Sequence, residues 1–259
     1  GSFYALGAYA AATFVGWLAT LHWAPAWSLV AMFMAAIAIA VLVAPLTERG
    51  LLRFFYGHDE VLLVLVTYAM FLCMEDITKI IWGANPYYVS EPYSLFGNIE
   101  IGEQIYVGYD FLLVFLALIV GSIVWWALNK TRQGKIVTAV IHSPEIASSM
   151  GVKVSKVYMY AFGVGVFLAA IGGAFTAPMI SVQPGLSVSV IILSFAVVII
   201  GGLGSIEGAA IGALIVGLSR ATAVHLAPVA ELFSIYVVMA MVLMVRPEGL
   251  FQRIQARKI

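Results

Sequence analysis

The sequence predicts an all-α polytopic membrane protein with about eight transmembrane helices. Composition is the first reason: 63% of the residues are apolar and only 10% charged, with a mean hydropathy of +1.04. A soluble domain carries about a quarter charged residues. Distribution is the second, because runs such as 111–129 and 157–206 hold no charge at all. The third is that the remaining charges gather in a few short segments between such runs. Thirteen basic and thirteen acidic residues cancel, so no global charge points to nucleic acid. The single cysteine, Cys73, excludes an intramolecular disulfide.

The elements follow in order. A helical span takes roughly 20 apolar residues. Spans are expected at about 3–20, 28–46, 61–82, 111–129, 157–179, 189–203, 209–225 and 232–246. The sixth to eighth are short and allow a broken or re-entrant piece, which must then lie inside protein to satisfy its backbone. The chain begins with Gly1-Ser2-Phe3-Tyr4 directly in an apolar segment, without a basic leader. It reads as a fragment lacking its natural N-terminus, and not as a signal peptide.

Basic residues set the expected orientation through the positive-inside rule. Arg49 and Arg53 share one loop, Lys130, Arg132, Lys135, Lys153 and Lys156 share segment 130–156, and Arg246, Arg253, Arg257 and Lys258 end the chain. Eight crossings put all three groups on one side, which is then cytoplasmic. The opposite side receives loop 83–110, with Glu91, Glu100, Glu103 and Asp110 and no basic residue. That loop is also aromatic (Tyr87, Tyr88, Tyr93, Phe96, Tyr106, Tyr109) and is broken by Pro86 and Pro92. It reads either as an interfacial aromatic belt or as a docking face for an external partner.

Segment 130–156 is a polar island. Ser143 before Pro144-Glu145 is a helix start: serine can cap free N–H groups, proline at the first position loses no bond, and glutamate favours the positive end. Gly151 suits the left-handed residue that ends a helix. The helix between them, through Met150, has about two turns, with Ile146, Ala147 and Met150 expected on one side and Glu145, Ser148 and Ser149 on the other. Two turns are unstable alone, so this helix packs either on its own neighbours or into a groove of a soluble partner.

Other candidates are fewer. Glu75, Asp76 and Lys79 lie in the third span, where i,i+4 and i,i+3 spacing lets both acids reach the lysine. Ionisable residues at membrane depth raise a pathway role; self-neutralised structure, with Lys79 snorkelling past Trp82, is the alternative. Arg220 and Glu231 near the last two spans read the same way. Gly204, Gly208 and Gly212, continuing to Gly217, are spaced for close helix packing. Gly202-Leu203-Gly204 lacks the strand-to-helix setting of a dinucleotide site. His22, His58, His142 and His225 are scattered and form no metal motif, and no Gly-x-Ser-x-Gly elbow or Walker P-loop occurs. Any ATP coupling must therefore come from a partner.

Thr131-Arg132-Gln133-Gly134-Lys135, Ser143-Pro144-Glu145-Ile146-Ala147, Met150-Gly151-Val152 and Lys156-Val157 together resemble the cytoplasmic loop of branched-chain amino-acid ABC transporter permeases. The opening Gly1 to Tyr9 resembles the family's early helix. Gly201-Gly202-Leu203-Gly204-Ser205-Ile206-Glu207-Gly208-Ala209, with Arg246-Pro247-Glu248-Gly249-Leu250-Phe251, is similar to its C-terminal signature, in wording more H-type than M-type. One departure is Glu207, where the family commonly has proline, and a less rigid turn is expected there.

The resemblance implies one transmembrane permease domain over 1–259 that performs no chemistry and binds no cofactor. It implies a bacterial inner-membrane location, lipid around the spans, a second permease subunit and a periplasmic binding protein. Two cytoplasmic ATPases would use ATP and Mg, with residues 142–151 as the coupling helix in a groove of one of them. Urea or short-amide permeases share this architecture and stay open as an alternative, and a stand-alone secondary transporter or channel is the reading from another class.

Overall fold

The computed structural model describes residues 1–21, 24–101, 104–202 and 204–251. Helices dominate: α1 (Ser2–Thr20), α2 (Trp27–Thr47), α3 (Arg53–Phe55), α4 (Glu60–Trp82), α5 (Glu91–Ser94), α6 (Gly108–Lys130), α7 (Arg132–His142), α8 (Pro144–Ser149), α9 (Val154–Thr176), α10 (Leu186–Gly201), α11 (Ile206–Leu226) and α12 (Glu231–Val245). Eight apolar helices fall where the sequence places them. Six are long and apolar enough to cross a membrane, while α10 and residues 233–245 of α12 are shorter. The seventh expected span is not short: α11 has 21 residues.

The chain forms two compact units, 1–187 and 188–259. In the first, α1, α2 and α9 pack against one another around small residues. Ala8, Ala11, Ala35, Ala36, Ala170 and Ala174 are all fully buried. Small side chains let backbones approach closely where lipid supplies no hydrophobic drive between helices. Gly7 packs on the Ala170 backbone and Gly173 on the Tyr4 carbonyl, positions where any side chain would collide. Tyr4 and Thr176 join their hydroxyls across the same contact. The opening stretch that carried the resemblance is thus the inner face of α1.

Two features were not expected. Past Thr47, the end of α2 widens into a π-helical turn, Glu48–Leu52. Loop 83–110 is partly ordered: after α5, strands Asn98–Ile101 (β1) and Gln104–Val107 (β2) pair antiparallel, Ile99 opposite Tyr106 and Glu100 opposite Ile105. Isolated two-stranded hairpins are marginal in water, and here the base is tied by Gly108 N–H donating to the Gly97 carbonyl at 2.9 Å.

In the second unit the two halves of the C-terminal signature fold onto each other. Leu250 N–H donates to the Ile200 carbonyl and Phe251 N–H to that of Gly201, both at 3.0 Å. Gly201 and Gly208 meet backbone to backbone, and Gly212 abuts Val197. Gly204 does not share that packing: it sits between α10 and α11 with φ +85° and nothing within 4 Å of its missing Cβ. The four-residue spacing crossed a helix boundary, and Gly201 takes the place expected of Gly204. Gly217 likewise has open space. Ser205 caps α11 by accepting the Gly208 N–H at 3.0 Å. Glu207 falls in the first turn of that helix, where a carboxylate is favourable; capping by Ser205 holds the turn that proline was expected to stiffen.

Candidate functional site

The polar island is more helical than its sequence suggested. Thr131 caps α7, its hydroxyl accepting the Gly134 N–H at 3.1 Å. Gly134 is buried so tightly against the carbonyls of Ala127 and Leu128 that no side chain fits. This glycine folds α7 back on the end of α6, and α7 in turn backs α8. Thr-x-x-Gly after a span was the readable signal of that extra helix.

Helix α8 spans Pro144–Ser149 with Pro144 at its start and Glu145 in its first turn. Ser143 takes the extended cap geometry, but its side chain makes no capping hydrogen bond. Its carbonyl instead accepts the Ala147 N–H at 3.1 Å, so the serine contributes backbone and conformation. The other end is as expected. Gly151 is left-handed (φ +84°), its N–H donates to the Ser148 carbonyl at 2.9 Å, and the Val152 N–H reaches back to Ala147 at 3.1 Å. These are the two bonds of a Schellman motif.

The expected apolar side divides. Ala147 is buried, whereas Ile146 is 64% and Met150 80% exposed. Successive helical residues differ by about 100°, so Ala147 turns toward α7 and α9 while Ile146 and Met150, four apart, share the outward side. The basic residues of the island, Lys130, Arg132, Lys135, Lys153 and Lys156, are all exposed.

The second site lies in α4. Lys79 approaches Asp76 at 3.3 Å and Glu75 at 4.0 Å. Asp76 is the closer and more exposed partner, so Glu75 is not simply self-neutralised. Its carboxylate accepts the Gly185 N–H at 2.8 Å and the Ser187 hydroxyl, where α10 begins. Beside it, Trp82 Nε1 donates to Thr13 Oγ1 at 2.7 Å and the Tyr87 hydroxyl to the Trp82 carbonyl at 2.8 Å. Tyr87 and Val182 exchange backbone hydrogen bonds at 2.9 and 3.0 Å. Residues of α1, the end of α4 and the following loop line an open cavity of about 540 Å³. Sequence reasoning found the charges but missed Tyr9, which is 1% exposed with its hydroxyl unpaired among the described residues.

Other calls resolve simply. Arg220 and Glu231 bind each other at 2.6 Å and join α11 to α12. Glu48, in the π-helical turn, is buried with one carboxylate oxygen unpaired; burial, with Glu48 and Tyr158 nearby, pushes the Tyr56 hydroxyl up from its ordinary value. No metal-binding group of histidine, cysteine or acidic residues occurs among the described residues. His22, Glu103, Leu203, Arg253, Arg257 and Lys258 lie outside those residues.

Long apolar helices with charge held within one of them mark a multi-pass membrane protein. The chain belongs to the family described as branched-chain amino acid transport system / permease component, matched over residues 1–245. It is similar to the high-affinity branched-chain amino acid transport system permease protein LivH of Escherichia coli, 23% identical over the whole chain and 86% of that protein. It also resembles a probable LivH of Methanocaldococcus jannaschii, 29% identical over 49% of this chain and 40% of that protein. The fructose import permease protein FrcC of Rhizobium meliloti is 34% identical over 47% of the chain and 34% of its own length. No solved structure matches.

Proposed function

We propose that this chain is the pathway-forming permease subunit of an ATP-driven importer for branched-chain amino acids in a bacterial inner membrane. It performs no chemistry itself. A second permease completes the pathway, two cytoplasmic ATPases drive it and a periplasmic binding protein delivers substrate. The observation that carries the reading is α8: a capped helix too short to stand alone that keeps Ile146 and Met150 exposed within a segment whose five basic residues are exposed as well. ATP-driven closure of the ATPases would move this helix, and with it α9, shifting the pathway between inward- and outward-facing states. The direction of the shift follows from whichever state binds ATP better.

The basic residues favour a cytoplasmic α8. The two short helices leave that parity intact: if α10 and α12 both cross, or neither does, the C-terminal end stays on the side of the island. The match to FrcC supports a second reading, a sugar permease. Co-expression with neighbouring genes, purification and uptake of leucine against fructose in vesicles decides between them. The expected result is a complex with two ATPases and a second permease that imports leucine. ATP-independent transport by this chain alone would overturn the proposal.

A further inference from the structure

Where the polar island meets its two flanking spans, each span carries the same pair of side chains. On α6, Trp126 stands one turn before Lys130, the last residue of the helix. On α9, Lys156 stands one turn before Tyr160. Residues four apart share a helix face and differ by about 6 Å along the axis. In both helices the cation is therefore the outer member and the ring lies deeper in the span. Trp126 is 59% and Tyr160 66% exposed, and both lysines are exposed.

Neither pair is turned into the fold. Beyond Gly108 and Tyr109 no residue of α6 is buried, and α9 enters the core only from Val166 onward. Both helices are long and apolar enough to cross a membrane. Nothing in the chain covers these two faces, and lipid is the medium at that depth.

Charge selects the kind of lipid. From Lys130 to Lys156 the chain carries five basic residues and one acid, Glu145. Among the described residues none of the five is in an ion pair. Basic residues beside a span attract anionic headgroups, each contributing about fivefold in affinity. Trp and Tyr rings settle at the headgroup level, where one end is apolar and the other wet. A lysine above a ring thus matches a phospholipid, whose phosphate stands above its glycerol backbone and acyl chains.

We propose that Trp126 with Lys130, and Tyr160 with Lys156, are two seats for anionic phospholipid headgroups. They pin both ends of the α7–α8 segment to the membrane surface, since α7 folds back on the end of α6 at Gly134 and α9 follows α8. The inference concerns the membrane alone and holds whatever the permease carries.

The test uses the purified complex with its second permease and ATPases in phosphatidylcholine vesicles. A trace of photoactivatable phosphatidylglycerol or phosphatidylcholine is placed in both leaflets, so orientation does not matter, and cross-linked peptides are mapped. Phosphatidylglycerol should label the peptides around Trp126 and Tyr160 about fivefold more than phosphatidylcholine. Lys130→Gln should bring the first peptide down to the phosphatidylcholine level and leave the second unchanged; Lys156→Gln should do the reverse. Unlabelled phosphatidylglycerol should suppress the labelling and inorganic phosphate should not.

Equal labelling by the two lipids overturns the seats, as does wild-type labelling in both variants. Protection of both peptides from either lipid would give these faces to the second permease, and suppression by inorganic phosphate would make them plain anion sites; each overturns the proposal. So does loss of ATPase binding by Lys130→Gln in neutral detergent, which would assign that lysine to the ATPase. If a variant fails to assemble, labelling and competition on the unaltered complex decide. Leucine uptake enters none of these outcomes, so the transport reading stands or falls separately.

Discussion

Replacing both Ile146 and Met150 by alanine separates a coupling surface from ordinary exposed apolar area. Fully burying an isoleucine or methionine is worth about 1.5–3 kcal/mol. Ile146 and Met150 are 64% and 80% exposed in the chain alone, so a groove that covers them gains about 1–2 kcal/mol from each. The pair then contributes roughly 2–4 kcal/mol, on the order of 30- to 1000-fold in affinity. The double variant should bind its ATPases more weakly by an amount in that window, measured by titrating purified ATPase onto the detergent-solubilised permease pair. Its own melting temperature should stay unchanged, because neither side chain is buried within the chain. Charge at the same places, Ile146→Glu or Met150→Glu, should release an ATPase or leave hydrolysis running without transport. Wild-type ATPase affinity in the double alanine variant would refute the assignment of α8.

Gly151→Ala places a side chain at φ +84° and should cost about 1–2 kcal/mol, read as weakened ATPase binding together with loss of order in α8. Gly7→Val should disrupt the α1–α9 contact and lower the melting temperature sharply, whereas Gly16→Ala, with open space around it, should not. Gly212→Val should likewise destabilise the second unit far more than Gly217→Ala, by thermal unfolding of the purified protein. For topology, Cys73 is exposed and must first become serine. A cysteine at Ser148 should then resist an impermeant reagent in intact cells and one at Tyr88 should react; the reverse pattern would invert the orientation.

How much was legible depended on what kind of signal a residue leaves. Apolar length located the helices, and Ser143-Pro144-Glu145 with Gly151 located α8 to within a residue at its C-terminal end. The π-helical turn at Glu48 and the hairpin at β1 and β2 leave no comparable pattern, since each depends on what the chain folds against. Thr131 and Gly134 did announce α7, but only once the glycine is understood as the residue that lets two helices touch. Glu75 and Lys79 were visible as charges in an apolar run. The further partners of Glu75, Gly185 and Ser187, are more than a hundred residues away, and no local spacing rule reaches that far. Tyr9 was invisible for the opposite reason: among so many apolar aromatics, only burial marks out one unpaired hydroxyl.

The stretches that carried the family resemblance have a common physical role, and that role explains what they could not reveal. Gly7 and Tyr4 lie where α1 meets α9; Gly201 and Gly208 lie where α10 meets α11, with Phe251 folded over them. Each is a place where backbones touch and a side chain would collide. Such positions constrain the helix scaffold and say nothing of what passes through it, so permeases named for amino acids and for fructose can both match one chain. Specificity must instead reside where the scaffold leaves room and unpaired polarity together. Among the described residues the unpaired Tyr9 hydroxyl comes nearest to that combination: its ring packs on Trp82 and Tyr87, which line an open cavity. Substitutions at Gly7 or Gly208 should therefore disturb the fold before they change what is carried.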